Sequence, residues 1–165
     1  MPKLVQPINP PTLAKPVGYS HAWETQGGKT VYIAGQVAFD KEGKVVGPGD
    51  VVAQFRQVCE NLKAVVEAQG GTMQDIVKLN LFTTDRDTYM DNRPALGLIY
   101  REYFGRHYPA MTLVEVKGLW DQTGVTCGVP SGMRVARWAK GAFWKRSRNS
   151  AGMGPAGGCW ARQAS

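Results

Sequence analysis

Few residues in this chain of 165 could do chemistry. The two histidines, His21 and His107, and the three cysteines, Cys59, Cys127 and Cys159, are far apart in sequence. A structural zinc site draws four such ligands at close, recurring spacings. With no CxxC pair and no histidine cluster, neither a metal centre nor a disulfide scaffold is expected. Gly28-Lys29-Thr30 resembles the end of a phosphate-binding loop, but the glycine that loop needs five residues earlier is Trp23. No G-x-S-x-G nucleophile elbow exists. Ser20 and His21 are adjacent, and on a strand their side chains would diverge. Glu115 is more informative, because it lies between Val114 and Val116 in an apolar stretch. Buried there, a carboxylate would need a partner or a raised pKa. It serves either an interface ion pair or hydrogen bond, or a cleft.

The elements that must position these residues follow from hydrophobic spacing. The first 20 residues contain five prolines and read as an extended arm. His21 to Glu24 and Thr30 to Val37 read as strands, joined by Gln26-Gly27-Gly28-Lys29, whose glycines suit a tight hairpin. Val51, Phe55, Val58, Leu62 and Val65 make one stripe of an amphipathic helix over 51–69. Asp50 is its expected N-cap, and Gly70-Gly71 its stop. Cys59 falls beside the stripe and is expected in the core. Ile76 to Thr83 reads as a strand with Val77, Leu79 and Leu81 on one face. Thr84 to Asp91 reads as a polar turn, Arg93 to Phe104 as a second helix stopped by Gly105, and Met111 to Val116 as a strand. Tyr89, Tyr100, Tyr103 and Phe104 read as packing groups of that helix. The order β-β-α-β-α-β predicts an α+β domain with two helices on one face of a mixed sheet. The other face, on which Glu115 is expected, needs cover, and a symmetric oligomer would supply it.

The formal net charge is +7, and it is not spread evenly. In residues 1–121, 13 Lys and Arg balance 13 Asp and Glu; residues 122–165 hold 7 Lys and Arg and no acid. Nucleic acid is therefore not an expected partner of the first 121 residues, and any such contact would run through the basic tail. Residues 122–165 contain eight glycines and three of the five tryptophans, but no Leu or Ile. That composition builds no core, and it is what a GC-rich gene yields out of frame. The expected division is a domain over 1–121 and an irregular tail over 122–165, in which Thr123 to Val129 could pair weakly as a strand. No apolar run approaches the roughly 18 residues of a membrane-spanning helix. Met1-Pro2-Lys3-Leu4 has no signal-peptide core, so the cytoplasm is the expected compartment.

Four segments, in order, resemble the RidA (YjgF) family of imine/enamine deaminases. They are Tyr19-Ser20-His21-Ala22, Val31-Tyr32-Ile33-Ala34-Gly35-Gln36, Gln57 to Val65, and Tyr103-Phe104-Gly105 through Pro109-Ala110 to Val114-Glu115-Val116. The resemblance implies a chorismate-mutase-like α+β domain. It also implies a homotrimer whose sheets line a central barrel, with ligand clefts between subunits. Active members hydrolyse small reactive enamines and imines to 2-keto acids and ammonia, with no metal or organic cofactor. The family's carboxylate-anchoring Arg follows Pro-Ala; here that position is Met111, which cannot bind a carboxylate. Losing such a buried bidentate contact costs on the order of 2–5 kcal/mol. The resemblance leaves Tyr19 and Glu115 as candidate catalytic polar groups, Gly35 as a backbone contact, and Met111 with Leu113 as an apolar wall of the substrate site. The family's last strand should follow Leu119-Trp120, where the basic tail stands instead. The expected activity is an atypical imine/enamine hydrolase. A non-catalytic metabolite-binding protein on the same fold is the alternative, and RNA association or cleavage is a third possibility.

Overall fold

The structure, a computed structural model, describes residues 4–119, 125–128 and 133–135. Its strands are β1 (Leu4–Ile8), β2 (Ala22–Gln26), β3 (Lys29–Val31), β4 (Gln36–Val37), β5 (Lys78–Thr83), β6 (Ala110–Glu115), β7 (Val125–Gly128) and β8 (Met133–Val135). Its helices are α1 (Val51–Ala68), α2 (Arg86–Asp91) and α3 (Arg93–Phe104). Four strands form the main sheet in the order β4-β7-β5-β6. β6 runs parallel to β5, as two strands joined through helices can. β7 lies antiparallel between β4 and β5.

α1 forms where the spacing places it. Asp50 takes an extended conformation and its carboxylate accepts the N–H groups of Val52 at 2.9 Å and Ala53 at 3.0 Å. Gly70, at φ 74°, turns the chain out of the helix. The buried stripe is Val51, Phe55, Val58, Cys59, Leu62 and Val66, with Val65 packed beside it. It meets Leu79 and Leu81 of β5 and Leu96, Ile99, Tyr103 and Phe104 of α3 in one core. Each such side chain contributes roughly 1.5–3 kcal/mol on burial. Asn61 leaves the helix to donate from Nδ2 to the carbonyls of Val37 and Phe39, at 2.9 and 3.0 Å, which pins the end of β4 to α1.

Several expectations change. The extended proline-rich arm is paired as well as extended: β1 runs antiparallel to β2, with Pro7 opposite Trp23. A two-stranded ladder leaves a free edge, where a missing N–H is harmless. Gly27 and Gly28 do turn the chain at positive φ, but no hairpin results. β2 pairs with β1, and β3 pairs with β8. The expected strand over Thr30–Val37 is broken into β3 and β4. The polar stretch over Thr84–Asp91 contains α2, because Asp85 caps it by accepting the Thr88 N–H at 2.8 Å and the Thr88 hydroxyl at 2.7 Å. Glu115 lies on the helix-covered face, not the open one: its pairing partner in β5 is Thr83, which is buried with Leu79 and Leu81.

The largest change concerns the family's last strand, for which the sequence offers only weak pairing over Thr123 to Val129. Val125–Gly128 fills an inner place of the main sheet, so the folded unit runs past residue 121, where the charge changes. Residues 136–165, the bulk of the expected tail, lie outside the described residues.

Candidate functional site

The site grows from the junction between the amino-terminal segment and the start of β6. Ser20 staples the two together: its N–H donates to the Pro109 carbonyl at 3.1 Å and its hydroxyl to the Tyr108 carbonyl at 2.8 Å. Trp23 Nε1 donates to the same Tyr108 carbonyl at 3.0 Å. Below this staple Tyr100 stacks on Phe104 (ring centroids 4.5 Å apart) and on Tyr108 (5.6 Å), and its hydroxyl donates to the His107 carbonyl at 2.8 Å. Tyr89, Tyr100, Tyr103 and Phe104, read from the sequence as packing groups, thus do pack, and two of them, Tyr89 and Tyr100, also wall a hollow.

That hollow is a cavity of about 360 Å³ between the Val17-Gly18 turn, the start of β6 and the face of α3. Met111 lies in its wall with Phe55, Leu96 and Tyr100. Tyr89, Tyr108, Arg93, Gly97 and Arg101 complete the polar side. Tyr19 follows the cavity-lining Gly18, is 36% exposed, and meets His21 edge-on at 5.3 Å. Leu113 is two residues along β6 on the same face as Met111, at the edge of the sheet and 40% exposed. Glu115 ends that face. It is exposed, and its Oε1 accepts the Arg86 N–H at 3.1 Å, at the start of α2. Gly35 lies elsewhere, in an open groove of about 610 Å³ with Asp40, Lys41, Glu60 and Asn61. One chain therefore brings Tyr19 and Met111 to the same end of β6 but holds Gly35 and Glu115 apart from them.

Several titratable groups outside the cavity are spent on structure. Asp40 accepts backbone N–H groups from Glu42 and Lys44. Glu60 accepts the Tyr103 hydroxyl, and burial with that bond pushes Tyr103 up to about 12. Arg56 and Glu102 pair at 2.8 Å, which lowers the Glu102 carboxyl and raises the Arg56 guanidinium. Burial pushes the Cys59 thiol up to about 12, so it behaves as an apolar core group. His107 donates from Nε2 to the Ile76 carbonyl at 2.6 Å, and burial holds its pKa below the usual range. Among the described residues no group of three or more His, Cys, Asp or Glu could hold a metal ion.

Arg93, Gly97 and Arg101 were missed by sequence reasoning. Their spacing of four along α3 was visible, but polar residues at that spacing also describe a solvated helix face. Only the docking of residues 17–20 turns that face into a cavity wall.

Comparison with known proteins decides the family. The family model described as Endoribonuclease L-PSP matches residues 11–125, well over half of the chain. This chain belongs to that family, the RidA (YjgF) family. A RutC family protein of Pyrococcus horikoshii is 40% identical over 107 residues, 64% of this chain and 79% of that protein. A 2-iminobutanoate/2-iminopropanoate deaminase of Dermatophagoides farinae is 34% identical over 113 residues, 68% and 84% of the two chains. A solved Rid-family protein of unknown function from Yersinia pestis is 34% identical, with a TM-score of 0.68 over 74% of this chain and 94% of its own. The fold is thus the α+β, chorismate-mutase-like fold of RidA proteins. The matched residues include Tyr19, Gly35, Met111, Leu113 and Glu115, and the whole wall of the cavity beside Met111. No helix among the described residues is long and apolar enough to cross a membrane.

Proposed function

We propose that this chain hydrolyses a small reactive enamine or imine to a carbonyl compound and ammonia, in a cleft built around the start of β6. The supporting observation is the cavity over Met111, in a chain 34% identical to a protein named as such a deaminase. The reaction needs little from the protein. A water oxygen adds to the iminium carbon while the C=N electron pair moves to nitrogen, giving a carbinolamine. Protons pass from oxygen to nitrogen, the C–N bond breaks, and ammonia leaves as the carbonyl forms. No electrons are gained or lost overall, so no redox cofactor is called for.

In this reading Met111 and Leu113 form an apolar wall, and Tyr19 offers a hydroxyl at the mouth. Gly35 contributes a backbone contact from a second copy of the chain in a homotrimer, since its own groove is separate from Met111. Glu115 faces the cleft from the far end of β6 once its bond to Arg86 is shared with water. The test is ammonia release from a panel of enzymatically generated imines, comparing the native chain with Met111→Arg. Turnover by the native chain is expected on a bulky imine, and Met111→Arg should gain at least tenfold on three-carbon imines.

A specific observation favours one competing reading, a ligand-binding protein without turnover. Among the described residues no carboxylate or imidazole lines the cavity, so none of them offers a general base for water there. Absence of ammonia release from every imine by the native chain would decide for that reading.

A further inference from the structure

We propose that the cavity beside Met111 is a site for a bulky, aromatic carboxylate whose anion is held between Arg93 and Arg101, across Gly97. The inference names the substrate class of the site above and rests on that reading of where the ligand lies.

Three observations carry it. First, the cavity wall is cationic without compensation. Arg93 and Arg101 line it, and among the described residues no acid does. Neither the Arg93 nor the Arg101 side chain makes a hydrogen bond or ion pair with a described residue, whereas Arg56 and Arg86 each have a carboxylate partner. Arg is the side chain suited to holding a carboxylate by two parallel bonds.

Second, the helix arranges a notch between the two charges. Residues 93, 97 and 101 succeed one another at four-residue intervals, so they share a face of α3 and span about 12 Å along its axis. Long guanidinium arms can lean toward each other over the middle position only if that position is small. It is glycine, in a helical segment with no positive φ to require it. A Cβ built on Gly97 meets nothing within 4 Å, so packing does not demand glycine either. A mid-helix glycine is unfavourable by itself. Here it leaves open the space that faces the cavity.

Third, the remaining wall fits a flat apolar group. Phe55, Leu96 and Met111 supply aliphatic and aromatic surface, and Tyr89, Tyr100 and Tyr108 add further aromatic surface. A volume of about 360 Å³ holds on the order of twelve non-hydrogen atoms at the roughly 30 Å³ of a liquid water. A three-carbon imino acid fills half of that; a phenyl-substituted three-carbon acid fills it. Met111 thus becomes a contact for the substrate's apolar end, with the anion moved to the helix side.

The experiment measures binding to the full chain by calorimetry, with 3-phenylpropanoate, its neutral amide, and propanoate. The aromatic carboxylate should bind at least tenfold more tightly than either of the others. Arg93→Gln and Arg101→Gln should each cost it about tenfold, and Gly97→Leu should abolish binding while circular dichroism shows a folded chain. Equal affinity for the carboxylate and the amide overturns the proposal, as does native affinity in both Arg variants or no binding at all. Ammonia release from the imine of phenylalanine is measured in parallel. Arg-dependent binding without release removes the hydrolase reading and leaves the anion site standing. Release that is indifferent to both Arg variants removes the anion site and leaves the hydrolase reading standing.

Discussion

His107 shows how a single buried side chain ties pH to stability. Its ring rests against Trp23, with centroids 4.7 Å apart, and its Nε2–H serves the Ile76 carbonyl. Burial lowers its pKa most, opposed by that hydrogen bond and by the nearby charge of Asp75. The unfolded chain therefore binds the His107 proton more readily than the folded one. Its contribution is fully present above the unfolded value of about 6.5 and is lost as pH falls through 6.5 toward the lower folded value. The thermal midpoint of the native chain should drop between pH 7 and pH 5 more steeply than that of His107→Gln, which keeps an N–H donor. Parallel slopes would acquit His107. Cys59, with its thiol raised by burial, should resist alkylation at pH 8 until denaturant is added, as peptide mapping can read. Residue chemistry was unevenly legible in the sequence. Met111 stood out only through the family resemblance, which aligns it, after Pro109-Ala110 and before Val114-Glu115-Val116, with the position of an anchoring Arg. Glu115 stood out for its apolar flanks, but its exposure and its bond to Arg86 depend on where α2 begins.

At the scale of elements, α1 was legible because an 18-residue amphipathic period, an Asp cap and a glycine stop all agree. α2 was not, since six residues carry less than two turns of periodicity and the Asp85 cap alone marks it. β7 was legible only as a weak strand over Thr123 to Val129: Val125-Thr126-Cys127-Gly128 sits in a stretch whose composition suggests no core, and the inner place it fills is set by β4 and β5. The glycine pair at 27–28 was read correctly as a turn and wrongly as a hairpin, because the partners of β2 and β3 lie far away in sequence. α3 offers an element-scale test independent of any ligand. Replacing Gly97 by Ala removes backbone freedom from the unfolded chain and adds a methyl to open space. Stability to urea should rise by about 0.5–1 kcal/mol. A loss of stability would mean that the backbone there needs glycine. In that case the notch between Arg93 and Arg101 would have a purely structural cause.

At the scale of the whole molecule, the unfinished part is the face of the main sheet turned away from α1 and α3. Lys78, Asn80 and Phe82 of β5 lie on it beside Thr112 and Val114 of β6. Lys78 Nζ donates to the Thr112 hydroxyl at 3.0 Å, which leaves Phe82 and the 40%-exposed Val114 as its apolar part. Asn80 Oδ1 is shut off from solvent with no hydrogen-bond partner among the described residues. A buried acceptor left unpaired costs about 1–3 kcal/mol. The open apolar part of this face and the separation of Gly35 from Met111 both ask for a neighbour. Both needs are met if copies of the chain close their sheets against one another around a symmetry axis. The native chain should then run as a trimer by light scattering at micromolar concentration. Val114→Asp would put an unpaired carboxylate into the contact, at a cost of several kcal/mol. That variant should run as a monomer with an unchanged far-ultraviolet spectrum, because Val114 faces away from the core. A native chain that is monomeric at all concentrations would mean that the open face is covered from within. The separated Gly35 groove would then have no part in the site.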